Sequence, residues 1–342
     1  MNRYGWIVVW GVLLIGVSAC RDSPMSQAGG MPLFPTLADR QDQLTQLRLR
    51  GAGDTVLVTL LRRDGQWHVV ERGHWPADAA RVSQYLFVLS QARGIEAKTD
   101  KPSLYPRLGV QPVADPAATG VELEMLGAGI RWRLLIGNAH PKFDAHYVRV
   151  DDRAQAWLTD LPVAFERSPR AWLDRRLLHL PLSRIASVRV ADKDGASFEL
   201  RHVDDRFRLV GVPSAAMHDS YQGDVLAATL DQLQFEDLDS APTTAMPART
   251  LQFLAVDGLR VQMSMWPQPE GLAWVTLKAD VDAEQSAKWI AGTPARASDG
   301  ALSAYSAKLN RRFSTRRFLL PAHVAEKLLL TEAGILAQPA AP

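Results

Sequence analysis

The chain has 342 residues, 47% of them hydrophobic, with 39 Lys plus Arg against 37 Asp plus Glu and a single Cys. Its length points to two domains, and its apolar content excludes global disorder. The net charge of +2 is no electrostatic footprint for nucleic acid, and one thiol rules out an internal disulfide, so stability rests on the core.

The N-terminus reads as an export signal. Arg3 supplies a positive start, Trp6 to Val17 is an apolar run, and the small residues Ser18 and Ala19 precede Cys20. This order is that of a secretory signal, and the run is shorter than the roughly 20 residues a spanning helix needs. Val17-Ser18-Ala19-Cys20 resembles a bacterial lipobox. That resemblance implies cleavage after residue 19, acylation of Cys20 and attachment to a membrane through the lipid, since each buried methylene adds about 0.8 kcal/mol. Residues 20–35 follow as a flexible tether, rich in small residues and without periodicity.

An internal repeat organises the rest. Leu44 to Arg50 alternates apolar and polar residues, as a half-buried strand does. Val56 to Leu61 is a second strand, Asp64-Gly65 a hairpin turn, and Trp67 to Val70 a third strand. Pro76-Ala77-Asp78 opens a helix carrying Val82, Tyr85, Leu86 and Leu89 at helical spacing. About 140 residues later the order returns. Ile185 to Val190, Ser197 to His202 and Phe207 to Val210 are strands, with Asp204-Asp205 at the turn. Tyr221 to Phe235 is then the helix, with Val225, Leu226, Leu230 and Leu233 on one face. Val121 to Met125, Trp132 to Ile136 and Tyr147 to Val150 add strands to the first half. Leu251 to Leu254, Leu259 to Met263 and Trp274 to Leu277 add them to the second.

The expected fold is therefore α+β. It consists of two tandem similar units, each an antiparallel sheet with one main helix in the order β-β-β-α-β-β-β. Residues 36–180 form the first unit and 181–337 the second. The second carries an extension: helices over Ala283 to Ile290 and Ala301 to Leu309, a strand over Arg316 to Leu320, and a helix opened by Pro321.

Few residues suggest chemistry. The glycine pairs Gly51/Gly53 and Gly127/Gly129 lie between strands, where a phosphate loop would need a following helix. His140, Asp144 and His146 sit close together but fall short of the three or four convergent ligands of a zinc site. No metal or cofactor is expected, and no catalytic set stands out. Trp67, Trp132, Trp157 and Trp274 occupy strand positions suited to packing. Trp75 and Trp266, beside prolines in apparent loops, are the candidates for exposed contact. So is the basic–aromatic stretch of Lys308, Arg311, Arg312, Phe313, Arg316, Arg317 and Phe318, whose composition suits a partner surface or acidic headgroups.

Several segments also resemble a known family. Met31-Pro32-Leu33-Phe34-Pro35 with Leu37-Ala38-Asp39, Leu104-Tyr105-Pro106-Arg107-Leu108-Gly109-Val110, Ala156-Trp157-Leu158, Trp172 to Leu178 and Phe318-Leu319-Leu320-Pro321 together resemble the domain of unknown function 4340 family, twice repeated. The family has no assigned chemistry. Its members resemble extracytoplasmic accessory components of gliding-motility-type ABC transporters, mostly anchored by a spanning segment; a lipobox departs from that pattern. The resemblance implies a non-enzymatic periplasmic lipoprotein acting as an interaction subunit of a membrane ABC-type transport complex. The alternative is an envelope hydrolase or a carbohydrate-binding module.

Overall fold

The computed structural model describes residues 30–213, 221–240, 244–292 and 300–336. Cys20 and most of the expected tether lie outside them. The molecule is α+β, with large antiparallel sheets flanked by helices.

The first half supplies ten strands: β1 (Met31–Pro32), β2 (Leu44–Gly51), β3 (Thr55–Arg63), β4 (Gln66–Val69), β5 (Trp75–Pro76), β6 (Arg93–Ala97), β7 (Val121–Gly127), β8 (Ile130–Ala139), β9 (His146–Val150) and β10 (Ala156–Thr159). They form one sheet in the order β1-β6-β10-β9-β8-β7-β2-β3-β4-β5. Its helices are α1 (Leu37–Arg40), α2 (Ala79–Gln91) and the single turn α3 (Tyr105–Leu108). The β3–β4 turn has Asp64 and Gly65 both at positive φ, the geometry that matches strand twist in a two-residue hairpin. Asp78 caps α2 by accepting from the Arg81 backbone N–H at 3.1 Å, and Val82, Leu86 and Leu89 are buried at the expected helical spacing.

The second half supplies β11 (Arg176–Leu178), β12 (Ile185–Asp192), β13 (Ser197–Val203), β14 (Arg206–Leu209), β15 (Leu233–Gln234), β16 (Asp237–Asp239), β17 (Arg249–Ala255), β18 (Leu259–Pro267), β19 (Ala273–Val281) and β20 (Arg317–Leu320). Eight of them form a sheet in the order β14-β13-β12-β17-β18-β19-β20-β16. The corresponding stretch of the first sheet is β4-β3-β2-β7-β8-β9-β10-β6, so the two sheets share one order of connections. The helices here are α4 (Gln222–Ala227), α5 (Ala283–Gly292), α6 (Ala301–Phe313), α7 (Ala322–Leu328) and α8 (Glu332–Leu336). Asn310 of α6 accepts from the Ala279 N–H and donates to its carbonyl. Its amide thereby serves as a strand neighbour for β19, beyond the residues that pair with β20.

The structure adds three details to what the sequence suggests. The second main helix does not run to Phe235. It ends at Ala227, passes through a 3-10 turn at Ala228–Leu230 and leaves by Gln232 in the left-handed region. Thr229 explains this locally, because its hydroxyl donates to the Leu226 carbonyl at 2.7 Å and so competes with the helical ladder. The two halves are also in contact across Leu180-Pro181. β11, from before that boundary, pairs with β15 after it, and one continuous core runs from Leu33 to Ile335. Each half, finally, holds more strands than the order β-β-β-α-β-β-β allows, the extra ones being two to five residues long.

The segments resembling the family are architectural. Tyr105 donates to the Ala154 carbonyl at 2.6 Å and lies under the Arg149 guanidinium, 4.3 Å away. Leu108 and Gly109 pass so close to β7 and β8 that a Cβ on Gly137 would stand 2.2 Å from the Leu108 carbonyl oxygen. Only glycine tolerates that approach.

Candidate functional site

The basic–aromatic stretch and Trp75 come together, but inside the molecule. In α6, Leu309 and Phe313 recur at helical spacing and are buried, which sets Arg312 at the flank of the buried stripe. The helix stops at Ser314, and Thr315, with φ +62°, turns the chain back into β20. A β-branched residue there is a strained one. β20 buries Phe318 and pairs with β16 and β19.

These elements meet β5 of the first sheet. Trp75 is 1% exposed. Its Nε1 donates to the Asp174 carbonyl at 2.8 Å, and its ring meets Phe235 and Phe318 edge-on at 5.5 and 5.3 Å. The Arg312 and Arg316 guanidiniums lie 4.7 and 5.6 Å from the same ring. Arg316 donates to the carbonyls of Arg312 and Gly73, and Arg312 to that of Arg176. Beside them Arg72 grips Asp237 with two hydrogen bonds, of 2.6 and 3.1 Å. This is a joint between the two sheets, closed by aromatic edges and by guanidiniums stacked on an indole.

The expected contact surface is corrected accordingly. Trp75, Phe313 and Phe318 are buried and cannot meet a partner. Arg312 and Arg316 serve the joint. Arg317 pairs with Asp239 at 2.7 Å and lies 4.5 Å from the Trp274 ring. Trp266 is in β18, not a loop; it is half-buried opposite Trp274, and its Nε1 donates to the Ala245 carbonyl at 3.0 Å. Of the named residues, Lys308 and Arg311 remain exposed. Sequence reading missed Arg72, Asp174 and Asp237, which carry the joint's polar contacts. A proline-flanked tryptophan drew attention to Trp75, but no local signal marks its partners.

The histidine loop behaves as a small packed turn. His140 stacks on Phe143 at 4.8 Å, and its Nδ1 accepts from the Lys142 N–H at 3.2 Å. Among the described residues, no three His, Cys, Asp or Glu side chains are grouped to hold a metal ion. His146 Nδ1 is buried without a hydrogen-bond partner. Burial pushes its imidazole below the ordinary value, with Asp144 opposing. The unfolded chain therefore takes up a proton first on acidification. Stability is present at neutral pH and declines as pH falls through the unfolded value of about 6.5. Urea midpoints at pH 7.5 and 5.5 should differ more for the natural chain than for His146→Gln; equal differences would show that this imidazole is not the cause.

No helix among the described residues is long and apolar enough to cross a membrane. No curated protein and no solved structure matches the chain. A family model, Domain of unknown function (DUF4340), does match, over residues 67–252. That stretch runs from β4 into β17, across both sheets and the joint. The joint's Trp75, Asp174 and Asp237 fall inside it, and the match covers more than half of the 342 residues. The chain belongs to the DUF4340 family.

Proposed function

We propose that this protein is a non-enzymatic periplasmic lipoprotein, tethered through lipid on Cys20, that acts as an accessory subunit of an ABC-type membrane transport complex. The observation that carries the reading is Val17-Ser18-Ala19-Cys20 directly after the apolar run from Trp6. A tether over residues 20–35 reaches only about 22 Å as a coil, so the folded part would stay near the bilayer and meet membrane proteins there. A scaffolding role is supported by how the carboxylates are used. Burial pushes Asp174 and Glu199 up, yet hydrogen bonds from Arg176, and from Arg189 and Arg201, hold both below the ordinary range. Such groups stay charged at neutral pH and serve as ion-pair partners, whereas a general acid needs a raised value. The reading also takes residues 36–180 and 181–337 as two versions of one unit, supported by the shared order of strand connections.

Cys20→Ser tests the anchor. The variant is expected to leave the membrane fraction or to accumulate uncleaved, and to lose acyl labelling. Labelling that persists in the variant would refute the lipid anchor.

A further inference from the structure

Beside the joint, the β11–β15 ribbon walls a cavity of about 380 Å³. Leu177, Leu178 and Leu233 give it apolar walls, and Arg176 and Arg312 supply cationic ones. His179 also lines it but is paired with Asp231 at 2.9 Å. Arg312 is the distinctive member. It is half-buried, and among the described residues its partners are the Arg176 carbonyl and the Trp75 ring, both neutral. The nearby Asp174 carboxylate is committed to Arg176, which binds it through Nε and Nη2 at 2.9 Å each. Burial accordingly pushes the Arg312 guanidinium down, with Asp174 only partly opposing. A desolvated cation with neutral partners is what an incoming anion stabilises.

Left-handed backbone occurs on the cavity wall and in the adjoining joint. Gln232, on the cavity wall, has φ +52°; Thr315, three residues from Arg312, has +62°; His74, beside Trp75, has +56°. Residues held in such conformations gather at ligand sites and switches. The cavity's size lies within the range of small-molecule sites.

We propose that this cavity binds a small organic anion, a carboxylate or phosphate carried on an apolar group. Arg312 and Arg176 would hold the acid, and Leu177, Leu178 and Leu233 the carbon. Titration calorimetry on the full chain with phenylphosphate, benzoate and benzyl alcohol tests it. One or both acids should bind saturably, and which one binds tells phosphate from carboxylate; the neutral alcohol should not bind. Arg312→Gln should weaken the acid about tenfold, the loss expected for a charge-assisted contact. Because that change also touches the joint, Arg176→Gln serves beside it. Arg176 is 83% exposed but pairs with Asp174, so its variant should lower the melting temperature only modestly while weakening the acid about threefold. Absence of saturable binding by either acid, equal binding of the alcohol, or affinity unchanged in Arg176→Gln would overturn the assignment.

Discussion

Trp75→Ala is expected to lower the stability of the whole chain by about 3–5 kcal/mol, the usual cost of emptying a buried tryptophan site. The ring is 1% exposed and packs against Phe318 of the other sheet and against Phe235, between β15 and β16, so the hole would open between the halves. Two guanidiniums would lose their stacking surface, and the Asp174 carbonyl its indole donor. Residual packing cannot compensate, because Arg312 and Arg316 would then be partly buried over a void. Trp266→Ala is the internal control. That side chain is half-buried at one hydrogen bond, so its loss should cost much less. Urea unfolding followed by circular dichroism separates the two. Equal costs would mean that the joint contributes little and that the sheets are held together elsewhere. A second consequence concerns cooperativity. With the joint intact the continuous core should unfold in one transition, and in Trp75→Ala the two sheets should begin to separate into two.

The parts legible in the sequence are those with their own periodicity. Alternation marks β2, β12 and β17, each of seven or eight residues, because half-buried strands must alternate; β7 alternates in sequence too, although its Glu122 and Glu124 are buried. The 3.6-residue pattern marks α2 and α6 for the same kind of reason. Turn chemistry is equally local: Asp204 and Asp205 both take positive φ at the β13–β14 turn, as Asp64 and Gly65 do at β3–β4. The joint is not local. β5, β11, β15 and β16 have two or three residues each and exist only because another segment pairs with them. Trp75, between Gly73-His74 and Pro76, looks like an exposed loop until β20 and Phe235 cover it. Arg312, Arg316 and Arg317 look like a solvated charge run because a sequence shows the charges without the ring, carbonyls and carboxylate they meet. Reading them as a surface failed for a physical reason: long side chains bury their stems and spend their heads at distance.

Arg249→Met should be the other severe change, and it should act at a distance from the joint. Arg249 is 4% exposed in β17. Nε and Nη2 hold Asp192 of β12 at 2.6 and 2.8 Å, while Nη1 donates to the carbonyls of Leu328 and Leu330 at 2.9 and 2.8 Å. One side chain thus fastens the end of α7 to the sheet. Methionine fills similar space but leaves Asp192 unpaired and two carbonyls without their donor. Removing one partner of a buried pair costs about 3–5 kcal/mol, and Asp192, with a quarter of its side chain exposed, places this one toward the lower end. Hydrogen exchange should show α7 and α8 losing protection first, since their tie to β17 is what the change removes. Replacing both partners, Arg249→Met with Asp192→Leu, should recover part of the global stability, because no charge is then left unpaired. It should not restore protection of α7, whose carbonyls still lack Nη1. Full recovery of both would show that the unpaired Asp192, rather than the lost contact with the carbonyls, is what loosens the C-terminal helices in Arg249→Met.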